Sequence, residues 1–302
     1  MRIQDLIELK NNKNIKLEFD YSLKKLNWFN IGGKAKIFFK PESLENLSIF
    51  LKAYNKRGKI FILGAGSNVL VSDKVYNGVV IKLGKRFKNI SKLENDKLIA
   101  GSAVTDRHLS EYAMESELEG LEFLSCIPGT VGGGIRMNAG CYDREFKDIL
   151  ISVQVIDYLG NIKTILKDQI KFAYRNTNLP NNLIFLSATF KGKPCSKDKI
   201  INKIKILKAK KDETQPSKIK TSGSTFKNPI EQTDLKVWQL IKKSVSPNLS
   251  FGDATISSHH SNFFVNKGNA KFEDMMKLIS HVKLCVKQKF KINIDLELVV
   301  IE

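Results

Sequence analysis

The sequence predicts an α+β fold in two regions, and three observations carry that reading. Short apolar runs separated by turn residues dominate the first two thirds of the chain, the signature of strands. The helical stretches among them are too irregularly placed for a regular βαβ array. Near residue 195 the stretch "GKPCSKD" reads as a linker to a lysine-rich helix, so a second unit is expected to begin there.

After Pro41, Leu44, Leu47, Leu51 and Tyr54 fall at helical spacing, and Gly58 offers a C-terminal stop. "KIFIL" then reads as a strand, "GAGSN" (64–68) as a loop, and "VLVSD" and "GVVIKL" as two more strands. A helix opens at Thr105, and "ISVQVID", "NIKTIL" and "LIFLSATFK" continue the strand pattern. Beyond the linker, Ile200, Ile204 and Leu207 form the apolar stripe of one helix and "DLKVWQLIKK" forms another. "SNFFVN" is a strand, and Phe272, Met275, Met276, Ile279, Val282 and Val286 mark a long amphipathic helix. "INIDLELVVI" closes the chain as a strand, with Ile292, Ile294, Leu296, Leu298 and Val300 on one face and Asn293, Asp295 and Glu297 on the other.

With 302 residues and 42% hydrophobic content the chain can bury a real core. No apolar run approaches membrane-spanning length and the N-terminal stretch is too polar for a signal peptide, so a cytoplasmic location without a membrane partner is expected. The four cysteines form no C-x-x-C pair and the histidines stand at 108, 259, 260 and 281, so neither a metal site nor a disulfide framework is expected. The net charge of +19 suits a nucleic-acid or acidic-ligand partner. Its lysines are scattered, however, and no aromatic-interleaved module accompanies them, which makes nucleic-acid binding the lesser reading.

Chemistry concentrates in two glycine stretches. "CIPGTVGGGIRMNAG" (126–140) holds five glycines in fifteen residues. Glycine adds no side chain to a core, so such a cluster implies positive φ or a close approach. "GAGSN" begins like the dinucleotide fingerprint, but Val69 stands at the third glycine, a strand follows, and Lys85 and Arg86 occupy the place of the ribose-binding acid. A tight turn and an anion-binding nest both fit it, Ser67 and Asn68 adding donors in the second case. Gly129, Gly132, Gly133 and Gly134 can expose several N–H groups, and Asn138 adds an amide. Two such stretches before the linker, both beside apolar strands, point to a large phosphorylated cofactor.

"NIGGKA" (30–35), "GAGSN", "IPGTVGGGIRMNAG", "YRN" (174–176), "SGSTF" (222–226) and S-x-x-H-x-x-F-x-x-N from Ser257 to Asn266 occur in that order. Each is weak alone, but the ordered series is specific: from about Leu26 to the C-terminus the chain resembles the UDP-N-acetylenolpyruvoylglucosamine reductase family. The resemblance implies an FAD-binding fold of the vanillyl-alcohol-oxidase/PCMH type, in two subdomains over 1–84 and 85–195. A separate α+β substrate-binding domain over 196–302 follows, its last strand returning to the active site. FAD would be held by Gly64, Ala65, Gly66, Ser67 and Asn68, and by Pro128, Gly129, Gly132, Gly133, Gly134 and Asn138. The glycines would admit the pyrophosphate to the backbone and offer it N–H donors. NADPH as hydride donor, a UDP-sugar enolpyruvate as small-molecule substrate and a monomeric state are implied as well.

The implied reaction belongs to peptidoglycan synthesis. NADPH reduces FAD, the reduced flavin delivers a hydride to the vinyl carbon of an enol ether bearing a carboxylate, and the neighbouring carbon is protonated. Charge builds toward the carboxylate, so the site needs cationic or protonated donors and a proton source. The resemblance assigns the guanidinium of Arg175 to that charge and makes Ser224 the proton donor. It adds Glu297 near the carboxylate, where a raised pKa or a shared proton would be needed. From the residues alone Arg175 reads as a surface loop arginine, Glu297 as part of a solvated strand face, and Ser224 as a turn serine outside the G-x-S-x-G context. His259 and His260 are expected to serve substrate binding or packing. The short interval between Arg175 and Ser224 matches the shorter, second type of these enzymes. Gln239 stands where the family usually has lysine and "SFGDA" (250–254) where it favours R-I-G-G-A, leaving the grip on the diphosphate to other basic residues such as Lys227. A related flavin oxidase is the nearest enzymatic alternative.

Overall fold

The structure is a computed structural model and describes residues 15–302 apart from 56, 95 and 217–218. The chain forms two compact units, each discontinuous in sequence. The first comprises Ile37–Ala65, Gly78–Lys210 and the described residues up to Phe19; the second comprises Asp20–Lys36, Gly66–Asn77 and the described part of Lys211–Glu302.

In the first unit a five-stranded antiparallel sheet runs in the order Ile162–Leu166, Leu150–Asp157, Leu183–Lys191, Lys97–Gly101, Ile90–Lys92. Leu98, Val155 and Phe190 of these strands form one core with Leu109, Phe123, Ile135 and Phe146. A second core gathers Phe39, Val79 and Ile156 around Leu47, Phe50 and Leu51 of the helix Leu44–Tyr54. Ser43 caps that helix by accepting the Asn46 N–H at 3.2 Å. The helix ends at Asn55, in the left-handed region with φ 43°, rather than at Gly58. Asparagine tolerates this conformation, and its N–H closes the last turn on Leu51 O. Gly58 has a packing role instead, since a Cβ there would stand 2.6 Å from the Tyr54 hydroxyl.

The expected linker near 195 is fastened to this unit. Lys193–Pro194 pairs with Leu118–Glu119, and the Cys195 N–H donates to Glu117 O at 2.9 Å. The helix Lys197–Thr214 then buries Ile200 and Ile204, and the boundary between the units falls within it.

The second unit collects the segment 66–77 because Val69–Val71 pairs in parallel with Val299–Ile301 and the Ser222 hydroxyl donates to Val69 O at 3.1 Å. Its core joins Phe29, Leu70, Phe226, Leu240 and Phe264 to Met275, Leu278, Ile279, Val282 and Val286 of the helix Phe272–Phe290. The terminal strand is regular only over Val299–Ile301. Before it, Leu296 makes a single bridge to Phe226 and the chain bends at Glu297 and Leu298. Glu297 is therefore half-buried whereas Asn293 and Asp295 are exposed, so the polar positions do not share one solvated face. Among the described residues no helix is long and apolar enough to cross a membrane.

Candidate functional site

Within the first unit, the stretch 126–140 contains a short helix, Val131–Arg136, rather than an open loop. None of its glycines has positive φ, so close approach explains them. A Cβ on Gly134 would overlap the Phe146 ring, one on Gly129 would stand 2.5 Å from Asp106 Oδ2, and one on Gly132 would stand 3.0 Å from Ser102 Cβ. A Cβ on Gly64 would meet Thr130 Oγ1 at 2.6 Å, which brings the first glycine of "GAGSN", followed by the half-buried Ala65, against the second glycine stretch at Gly64 alone. Pro128 leads into the helix. The N–H groups of Val131 and Gly132 donate to Val104 O and Ser102 O, both at 2.9 Å, so those two are engaged inside the protein rather than offered to a ligand.

Gly133 differs from its neighbours. It is exposed, and a Cβ there would meet only Thr130 Oγ1, at 3.6 Å. A planar or phosphorylated group can lie against this face without displacing protein atoms, and in that respect the residues present fit FAD. Sequence reasoning missed Lys82, which donates through Nζ to Gly64 O. Burial, reinforced by Lys88 and Lys40, lowers its pKa. Its signal was a lone lysine directly after the apolar run "GVVI".

Asp106, also missed, is the first residue of the helix Asp106–Glu115, which Thr105 caps by accepting the His108 N–H at 3.2 Å. Asp106 is fully buried, and neither side-chain oxygen has a hydrogen-bond partner among the described residues. Burial pushes its carboxyl well above the usual value of 3.8, so the fold favours the neutral acid. Its contribution to stability is complete below the unfolded pKa and is lost as pH rises through the folded one. Asp106→Asn, which does not ionise, is expected to raise the thermal midpoint more at pH 8 than at pH 5, by roughly 2–4 °C for each kcal/mol relieved. Equal midpoint changes at the two pH values would show that Asp106 does not titrate in this way.

In the second unit Gly66 has φ 72°, and a Cβ there would overlap Leu26 O. Ser67 is half-buried. The Asn68 side chain donates to Glu297 O at 3.0 Å, the Glu297 N–H donates to Thr225 O at 2.9 Å, and Ser224 bridges to Phe263. Asn68, Ser224 and Glu297, 229 residues apart at the extremes, thus lie on adjoining backbone. Gly223, next to Ser224, has φ 75° and no atom within 4 Å of its Cβ position apart from its chain neighbours. The Ser224 hydroxyl has no hydrogen-bond partner among the described residues.

His260 has a packing role: its Nδ1 accepts the Asn262 N–H at 3.2 Å, its ring lies 4.7 Å from that of Phe263, and burial lowers its pKa. His259 meets Glu213 O through Nε2 at 2.9 Å. The departures from the family pattern are built into the frame. Gln239 Oε1 accepts the Lys236 N–H at 2.8 Å at the start of the helix Val237–Ser244, and Asp253 Oδ2 accepts the Asn269 N–H at 2.8 Å.

Arg175 belongs to the first unit and has φ 56°, a conformation that costs a non-glycine residue about 1–3 kcal/mol and persists only where its surroundings enforce it. Here Ala173 and Asn176 exchange both backbone hydrogen bonds around Tyr174 and Arg175, at 2.8 and 3.1 Å. The guanidinium donates to Gly140 O at 2.9 Å, stands 3.6 Å from Glu145 Oε1 and lies over the Tyr174 ring at 4.9 Å. Its side chain is only 16% exposed, unlike the surface loop arginine of the residue-only reading. Asn138, fully buried at φ 42°, donates to Glu145 Oε2 and Ala173 O, both at 3.1 Å, and accepts the Lys147 N–H at 3.0 Å. Its amide is thus engaged in tying the Arg175 turn down.

Residues 35–166 match the family model of an FAD binding domain, and residues 215–301 match that of the C-terminal domain of UDP-N-acetylenolpyruvoylglucosamine reductase. The chain is 55% identical over 302 residues to the UDP-N-acetylenolpyruvoylglucosamine reductase of Pelagibacter ubique (strain HTCC1062), covering 100% of both chains. It is 40% identical over 279 residues to that of Rickettsia canadensis (strain McKiel), covering 92% of this chain and 93% of the relative. The crystal structure of the Thermus caldophilus enzyme superimposes with a TM-score of 0.81 at 29% identity, covering 95% of this chain and 99% of that one.

Proposed function

This chain belongs to the UDP-N-acetylenolpyruvoylglucosamine reductase family, and we propose that it reduces UDP-N-acetylglucosamine enolpyruvate to UDP-N-acetylmuramate with FAD and NADPH. The observation that carries this reading is full-length identity of 55% to a protein of that name, with FAD-binding and C-terminal family models both matched on one chain. The FAD-binding role falls to the region before residue 195 and the substrate-binding role to the region after it. The enzyme works as a cytoplasmic monomer in this reading.

The two glycine stretches, 64–68 and 128–138, would hold FAD, which when bound would supply hydride transfer between NADPH and the vinyl carbon of the substrate. Arg175 meets the negative charge that then builds toward the carboxylate, offering a guanidinium in a fixed orientation. Ser224 supplies the proton to the adjacent carbon. A hydroxyl is weakly acidic, but a carbon bearing that charge is a strong enough base to take its proton, and with no hydrogen-bond partner among the described residues it is able to donate. Glu297, which is half-buried, would act at the substrate carboxylate, sharing a proton with it or holding one of its own. Net, the substrate gains one hydride and one proton while NADPH becomes NADP⁺.

The purified protein is expected to be yellow, to release its colour on acid precipitation, and to oxidise NADPH only when the enolpyruvyl sugar nucleotide is present. A colourless protein that cannot take up FAD but binds DNA with a steep salt dependence would overturn the reading.

A further inference from the structure

The hairpin Gly140–Glu145 grips Arg175 from two sides. Tyr142 and Asp143 have φ 52° and 61°, the two consecutive left-handed residues that a tight two-residue hairpin turn demands. The turn sets Gly140 opposite Glu145 in register. One terminal nitrogen of Arg175 donates to Gly140 O at 2.9 Å while the other stands 3.6 Å from Glu145 Oε1. A single pair of facing residues therefore orients both arms of the guanidinium. Glu145 is itself held: Oε2 accepts from Asn138 at 3.1 Å and pairs with Lys147 Nζ at 2.7 Å. Its side chain is 17% exposed, so water screens the attraction only partly.

We propose that Glu145 is a positioning residue for the reductase: its carboxylate fixes the orientation of the Arg175 guanidinium toward the substrate's developing charge. The inference rests on the role given to Arg175 above. Glu145 touches neither substrate nor reacting atoms in this account. Two cationic groups converge on it, Arg175 at Oε1 and Lys147 at Oε2, the latter shared with the neutral Asn138 amide, and it is the anion that makes their convergence tolerable. The orientation of the guanidinium matters, because misplacing a group at the reacting centre by about 1 Å costs roughly 100-fold in rate.

The test is a double-mutant cycle on the FAD-loaded full chain, following flavin absorbance separately during reduction by NADPH and reoxidation by the enolpyruvyl sugar nucleotide. Glu145→Gln keeps the shape and the ability to accept hydrogen bonds but removes the charge. It is expected to slow reoxidation roughly 10- to 100-fold, with the reduction rate close to wild type. Glu145→Asp, which keeps the charge, should recover part of the loss, and carries the test if the Gln variant does not fold. In an Arg175→Ala background, itself strongly impaired in reoxidation, Glu145→Gln should add little further loss, since it acts through Arg175. An equal additional loss in that background would overturn the proposal, as would reoxidation by both Glu145 variants at the wild-type rate. Normal reoxidation by Arg175→Ala alone would instead remove the assigned role of Arg175, and the positioning role with it.

Discussion

Ser224→Ala is expected to lose at least about 100-fold in the rate at which the enolpyruvyl substrate reoxidises the reduced enzyme, while reduction by NADPH stays near the wild-type rate. The asymmetry follows from where the proton goes. Reduction by NADPH moves no proton to a substrate carbon, so the hydroxyl has no part in it; reoxidation does, and alanine has no proton to give. Ser224 is half-buried and Gly223 beside it leaves open space, so removing one oxygen disturbs little packing. Ser224→Cys keeps an ionisable proton and should recover part of the rate. Anaerobic rapid mixing at the flavin absorbance band separates the two steps. Equal slowing of both would make Ser224 a structural residue and leave the carbon without its proposed proton donor.

Gly133→Val is expected to yield a folded protein that retains almost no FAD. The four glycines of the Gly129–Gly134 stretch divide on structural grounds. Valine at Gly134 would overlap the Phe146 ring in the core, so that variant should misfold and lose its thermal transition. At Gly133 a Cβ meets only Thr130 Oγ1 at 3.6 Å, and the helical backbone admits an L side chain without strain. Any loss of flavin there reports on what lies outside the protein's own atoms. Absorbance of the purified variant, its circular dichroism and titration with free FAD give the comparison. A folded Gly133→Val protein with normal flavin content would take this face out of the cofactor site.

Local pattern made much of this molecule legible. The period of Met275, Ile279, Val282 and Val286 declared the helix Phe272–Phe290 and its buried face, because the direction of each side chain is set by the backbone geometry of its own element. Thr105 likewise announced a helix start that its hydroxyl does cap. The ordered series of short motifs identified the family, since each is weak alone but their order on one chain is specific. The purpose of individual residues was not legible. "VGGG" looked like exposed donors, yet Gly132 and Gly134 answer to Ser102 and Phe146, partners that only the packed helix reveals. Asn138 offered an amide, and that amide bonds both Glu145 and Ala173, the latter 35 positions further along the chain from Asn138. "GKPCSKD" has the composition of a linker, but Lys193–Pro194 finds a strand partner in Leu118–Glu119. Sequence by itself determined the periodic elements, the helix start at Thr105 and the family, all of which depend on neighbours along the chain. Tertiary structure alone decided which glycine faces open space, why segment 66–77 joins the C-terminal residues, and what holds Arg175, because those depend on which distant atoms compete for the same volume and the same hydrogen bond.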